Sequence, residues 1–255
     1  MSWGRAVGPA VLVGLWSAAG TPTPAGAETP TETPTETPTV AATVADAEAL
    51  NRRFRTESPA SLASFLERQS REVFARREAV VQALQISPGD AVADVGAGTG
   101  AYLDPLARAV GPRGRLVLVE IAPQLVAHLK RRAANGGWDQ VEVLLGTDRS
   151  ANLPPNSLDL VFTADTYHHF AHPAAMNASI YRALRPGGRY VVLDFERRAG
   201  KSRPWVLEHV RTGRRGVIRE VRAAGFEAAG ELQVEGLVEN YVLVFRKPKP
   251  RGPLR

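Results

Sequence analysis

Between Ala91 and Glu120 the chain runs through a short apolar segment, a glycine-rich turn, an amphipathic stretch, a second apolar segment and a closing acid. Ala91-Val92-Ala93-Asp94-Val95 has the length and apolar character of a buried strand. Gly96-Ala97-Gly98-Thr99-Gly100 follows at once, and glycines at alternate positions permit left-handed backbone and close approach to a ligand. Leu103, Leu106, Ala107 and Val110 then recur at helical spacing until Gly111-Pro112-Arg113-Gly114 stops them. Arg115-Leu116-Val117-Leu118-Val119 is a second strand ending on Glu120. An acid about 20 residues after a glycine turn is where dinucleotide-type folds grip ribose hydroxyls. The order predicts a parallel, doubly wound α/β domain. Its G-x-G-x-G spacing differs from the G-x-G-x-x-G of nicotinamide enzymes and argues against an oxidoreductase.

With Asp94 two residues before the first glycine, this segment resembles the class I S-adenosylmethionine-dependent methyltransferases. The resemblance continues in order over roughly residues 71–247. Gly146-Thr147-Asp148 follows the strand Val141-Glu142-Val143-Leu144-Leu145, and Leu153-Pro154-Pro155-Asn156-Ser157-Leu158-Asp159-Leu160-Val161-Phe162 resembles the lead-in and fourth strand. Leu184-Arg185-Pro186-Gly187-Gly188-Arg189-Tyr190-Val191-Val192-Leu193 is similar to the family's helix, turn and fifth strand. The resemblance implies an α/β fold: a Rossmann-like doubly wound seven-stranded sheet with a C-terminal antiparallel hairpin and an N-terminal helical extension. Two closing strands are expected, at Glu231-Leu232-Gln233-Val234 and Tyr241–Phe245, after helices at Trp205–Val210 and Arg214–Ala224.

S-adenosylmethionine is the implied cofactor. By the same resemblance Gly96, Ala97, Gly98 and Gly100 pass under its methionine part, and Asp94 reaches its amino group. Glu120 takes the ribose hydroxyls, Ile121 lies on the adenine face, and Asp148 takes the adenine amino group, although it stands one residue farther from Leu153-Pro154 than the family pattern has it. Open α/β sheets bind ligands beyond the carboxyl ends of their strands, which puts Asp165-Thr166-Tyr167-His168-His169-Phe170 at the reacting end. Methyl transfer asks mainly for alignment and exclusion of water, with a base only where the acceptor loses a proton. His168 and Asp165 are the candidate bases and Tyr167 a substrate-orienting hydroxyl. Trp205, His209 and Tyr241 are candidates for the acceptor pocket or for the core, and the acceptor is expected to be a small molecule.

No metal is expected. A magnesium-dependent pattern wants an Asp-Asn pair after the fifth strand, whereas Asp194 is followed by Phe195, and His168, His169 and His172 stand too close in sequence to converge on one ion. An exported, non-catalytic ligand-binding protein on the same fold is the alternative reading; aminopropyl transfer lacks a supporting acid pair.

Among the 255 residues there is no cysteine, which excludes disulfides, thiolate metal sites and a cysteine nucleophile. The net charge of +6 is scattered over pairs such as Arg52-Arg53, Arg131-Arg132 and Arg214-Arg215, so no nucleic-acid partner is expected. Met1–Ala27 reads as a signal peptide: Arg5, an apolar stretch too short to span a bilayer, then Ala25-Gly26-Ala27. Cleavage there predicts a periplasmic or secreted chain without a membrane span, or a cytoplasmic one if translation starts downstream. Residues 28–44 repeat Glu-Thr-Pro-Thr and predict a disordered linker. Residues 45–85 predict one or two capping helices, in which Arg71, Arg76 and Arg77 are candidates either to face an anionic substrate or to be exposed to solvent. Residues 86–247 form the methyltransferase-like domain and 248–255 a basic tail.

Overall fold

The computed structural model of the chain describes residues 44–250. The expected signal peptide, nearly all of the linker and the last five residues of the tail therefore lie outside the described residues. Four helices come first: α1 (Val44–Thr56), α2 (Pro59–Leu66), α3 (Glu72–Ala75) and α4 (Arg77–Ala83). The expected one or two helices are thus divided, and Pro59 accounts for the first break. It disfavours helical backbone at Ser58, which takes φ −67°, ψ 148° and accepts a 3.2 Å bond from Ser61 N as the cap of α2.

The domain then alternates β1 (Ala91–Val95), α5 (Leu103–Val110), β2 (Arg115–Glu120), α6 (Pro123–Asn135), β3 (Val141–Leu145) and β4 (Leu158–Ala164). A single 3₁₀ turn, Tyr167–His169, precedes α7 (Pro173–Ala183) and β5 (Leu184–Phe195). It closes with α8 (Pro204–His209), α9 (Arg214–Ala223), β6 (Glu227–Glu231) and β7 (Asn240–Arg246). The sheet order is β3-β2-β1-β4-β5-β7-β6, parallel from β3 to β5, with β7 antiparallel to both neighbours. This is the Rossmann-like seven-stranded sheet with its terminal hairpin.

One strand falls earlier than its apolar pattern suggests. β6 is Glu227–Glu231, and Glu231–Val234 only trails it, with Leu232 N still bonded to Val242 O at 2.9 Å. Leu232 and Val234 leave the ladder to pack on the core, so their alternation reports burial beside the sheet and not strand pairing.

Side chains alternate across the strands, and apolar residues bury both faces. Val92, Leu116, Leu118 and Phe162 meet Leu103, Leu106 and Leu129 on one face together with Val80 and Leu84 of α4. Ala93, Val95, Val117 and Val161 meet Met176, Ile180, Val217 and Val221 on the other. Each fully buried leucine or valine side chain contributes about 1.5–3 kcal/mol. Among the described residues no helix is long and apolar enough to cross a membrane.

Candidate functional site

The first helices lie over the carboxyl ends of β1, β2 and β4, and a cavity remains between them and the sheet. Its floor is Asp94, Gly96, Ala97, Gly98, Glu120, Ile121 and Asp165, while Asn51, Phe54, Leu66, Arg71 and Phe74 form its roof. Several bonds hold the roof down. Tyr102 donates from its hydroxyl to Val73 O at 2.7 Å, Gln124 Nε2 to Phe54 O at 2.6 Å, and Arg132 Nη1 to Glu67 Oε1 at 2.7 Å.

The glycine turn is built for close contact. Gly96 (φ +81°) leaves no room for a side chain because Thr166 occupies the space, its Oγ1 donating to Ala164 O at 2.9 Å. Gly98 (φ +56°) faces the cavity beneath Leu66, whose Cδ1 would lie 3.6 Å from an added Cβ. Gly100 does not line the cavity as the family pattern implied. A Cβ there would meet Leu129 at 2.9 Å, so this glycine serves the packing of the turn on α6.

Glu120 is buried (7% exposed) at the end of β2 and fixes the turn from below. Its Oε1 accepts from Ile121 N and Ala122 N at 2.6 and 3.2 Å, its Oε2 from Gly98 N at 3.0 Å. Burial raises its carboxyl above the usual range, and those backbone donors partly offset the rise. Asp94 is buried beside it (2% exposed), and burial together with the Glu120 charge pushes it up to about 7. Two buried acids on one wall make a surface complementary to a ligand bearing a cation and hydroxyls. S-adenosylmethionine carries both, so the residues present fit that group. Asp148 lines the cavity from beyond β3, 44% of its side chain exposed and Oδ2 3.2 Å from His172 Nε2.

At the reacting end the candidates separate. Asp165 lines the cavity in left-handed backbone (φ +54°), conformational strain of the kind that gathers at functional sites. Arg71 from the roof forms an ion pair with its Oδ2, while Oδ1 is buried without a partner. Burial pushes the Asp165 carboxyl up to about 6 despite the Arg71 charge. Of the three arginines, Arg71 lines the cavity, whereas Arg77 bonds to Phe74 O at 2.8 Å and Arg76 packs over Gly236.

His168 and Tyr167 do not line the cavity. His168 is 2% exposed, its Nδ1 2.7 Å from Asp194 Oδ1 and its backbone N donating to Oδ2 at 3.0 Å. Burial alone lowers its pKa, but the Asp194 carboxylate raises it more. Tyr167 points into the core, its hydroxyl donating to Glu220 at 2.9 Å and accepting from Asn177 at 2.9 Å. A turn of 3₁₀ backbone explains the exchange: it directs these two side chains inward and sends His169, weighed in the sequence only as a metal ligand, to the cavity wall. His169 packs edge-on against Phe54 at 5.1 Å, and burial holds it well below the usual histidine range. Among the other candidates, Tyr241 is buried (1% exposed), Trp205 is 39% exposed, and His209 stands behind His168 and His169, lowered by burial to about 4. None of the three lines the cavity.

A family described as a methyltransferase domain matches residues 92–188, from β1 into the turn of β5. Nocamycin O-methyltransferase of Saccharothrix syringae is 36% identical over 126 residues, 49% of this chain and 45% of that protein. The ubiquinone/menaquinone biosynthesis C-methyltransferase UbiE of Hydrogenovibrio crunogenus is 32% identical over 113 residues, 44% of each. The chain thus spans less than half the length of these relatives. A crystal structure of a SAM-dependent methyltransferase from Aquifex aeolicus superposes with a TM-score of 0.66 at 22% identity, covering 75% of this chain and 99% of that one.

Proposed function

We propose that this chain, whose residues 92–188 match a methyltransferase-domain family, is a class I S-adenosylmethionine-dependent enzyme that methylates an oxygen or an acidified carbon of a small molecule, with Asp165 as the base. Two buried carboxylates, Asp94 and Glu120, and a third, half-buried one, Asp165, gather on one cavity at the carboxyl ends of β1, β2 and β4 and carry this reading. S-adenosylmethionine supplies an activated methyl group when bound. Asp94 and Glu120 offer acceptors to its amino and ribose groups, Gly98 leaves space above the turn, and Asp148 with Ile121 closes the adenine end. The roof of α1 to α3 excludes water, which keeps the reacting groups undiluted.

The relatives named above include an O- and a C-methyltransferase, and both reactions take a proton from the acceptor. Asp165, raised to about 6, is poised to receive that proton near neutral pH, and Arg71 holds its carboxylate in place. His169 and Phe54 form the wall on which an aromatic or enolic acceptor would stack. His168, tied to Asp194, supports this wall from behind. The N-terminal sequence adds the proposal that the domain works outside the cytoplasm.

Calorimetric titration of the full chain with S-adenosylmethionine, its demethylated product and NAD tests the pocket. Micromolar binding of the first two, lost in Glu120→Ala, is the expected result. Turnover on a panel of phenols, enols and carboxylates tests the chemistry, and binding without turnover on any of them would move the reading to a ligand-binding protein.

A further inference from the structure

Three of the chain's five histidines, His168, His169 and His209, converge behind the cavity wall. Two come from the 3₁₀ turn after β4 and the third from the end of α8, about 40 residues later. Their ring centroids form a triangle of 4.2, 5.2 and 5.2 Å, and one nitrogen from each lies within 4.8 Å of the others.

The surroundings are those of a ligand set. The Asp194 bond occupies Nδ1 of His168, so the nitrogen His168 has to offer is Nε2; a carboxylate on the far nitrogen is the usual means of orienting a metal-binding imidazole. Asp194 is itself fixed, accepting from His168 N and Phe195 N. His169 keeps a buried Nδ1 that has no hydrogen-bond partner. An unpartnered buried nitrogen is costly unless something binds it. Phe54, Phe195 and Trp205 surround the three rings with an apolar shell, and Asn51 Nδ2 pins the backbone of His169 at 3.0 Å.

We propose that His168, His169 and His209 bind a zinc-type divalent cation, with an open fourth position for an oxygen ligand. Neutral imidazoles suit zinc, cobalt and nickel, and three histidines with one open position is a set used by catalytic zinc. Tetrahedral zinc places its nitrogens about 3.3 Å apart, so the site closes by roughly 1.5 Å at most, within the reach of ring rotation. The sequence concealed the set because its third member is His209 and not the neighbouring His172, which pairs with Asp148 instead. Of the three only His169 borders the cavity, so a cation held behind it would brace that wall, and the proposal stands independently of the methyltransferase reading.

The test uses the full chain, purified without a histidine tag, stripped with chelator and titrated with Co²⁺. Visible d–d bands saturating at one equivalent and bleached by Zn²⁺ are expected. They vanish in His209→Gln and in His169→Gln and persist in His172→Gln, while Asp194→Asn keeps the bands but weakens binding about 10- to 100-fold. Circular dichroism of each variant checks folding. The proposal is overturned if the wild-type chain gives no bands, or if the bands survive both His209→Gln and His169→Gln. S-adenosylmethionine binding by the wild-type chain, measured on the same preparation, separates failure of this site from failure of the cofactor reading.

Discussion

Strand β4 ends in an aspartate at each side of the domain, and the two are used in opposite ways. Asp159, near its start, accepts from Ala91 N at 2.9 Å and from Arg185 Nη1 at 2.6 Å with each oxygen, its side chain a third exposed. Asp165, just past its end, sits in left-handed backbone on the cavity with one oxygen paired to Arg71 and the other bare. At the first site the carboxylate closes the β1–β4 junction with nothing left over. At the second the fold accepts backbone strain and an incomplete hydrogen-bond set on a residue that lines the cavity. One strand thus sets a satisfied structural carboxylate beside an incompletely satisfied one at the cavity.

The comparison breaks most sharply at Asp165. Asp165→Asn should lower turnover by about 10²- to 10⁴-fold while leaving S-adenosylmethionine affinity within about threefold, measured by methyl transfer and calorimetry on the same protein. An unchanged rate would return Asp165 to the class of Asp159. Glu120→Ala should weaken cofactor binding by about 100-fold, because it removes the proposed ribose acceptor and releases Gly98; calorimetry beside a melting curve separates lost contact from lost fold.

The pH dependence is smaller. Asp94 and Asp165 have folded pKa values of about 7 and about 6, above the ordinary 3.8, so the ligand-free fold binds protons more tightly than the unfolded chain. Their contribution to stability is whole below pH 4 and falls as pH rises through 6 and 7. A cationic ligand needs the Asp94 carboxylate, so S-adenosylmethionine should bind more tightly from pH 5.5 to 7, by up to about tenfold per unit, with uptake of a proton by the buffer. Titration in buffers of different ionisation enthalpy measures that proton. The smallest effect is at the other end of β4: Asp159→Asn should cost about 1–3 kcal/mol in denaturant unfolding and leave cofactor binding untouched.

The sheet was readable in the sequence because its parallel strands are short apolar runs separated by turn glycines, each a local signal. Asp94 and Glu120 were readable for the same reason, since strand ends locate them. The inward turn of Tyr167 and His168 was hidden, because a 3₁₀ turn of three residues leaves no periodicity to read. Arg71 as the partner of Asp165 was only one of three arginines that the pattern placed alike, and His209 as the third corner of a histidine triangle depends on where α8 folds back. The early position of β6 was hidden too: Glu227-Ala228-Ala229-Gly230-Glu231 has little strand character, and its pairing is imposed by the exposed edge of β7.

The roof over the cavity is made of two unequal pieces. α3 and α4 belong to the body of the domain: Val73, Val80, Val81 and Leu84 are part of the main core, and both Glu72 oxygens accept from the backbone of Val238 and Glu239 at 2.8 and 2.7 Å. α1 and α2 rest on a small island of Leu62, Ala122 and Leu125 and a few surface bonds. α1 and α2 are thus the less deeply anchored part of the roof, tied at residue 67 to α6 by the Glu67–Arg132 ion pair. Hydrogen exchange should show it, with the amides of α1 and α2 exchanging well before those of α4 and slowing when S-adenosylmethionine is added.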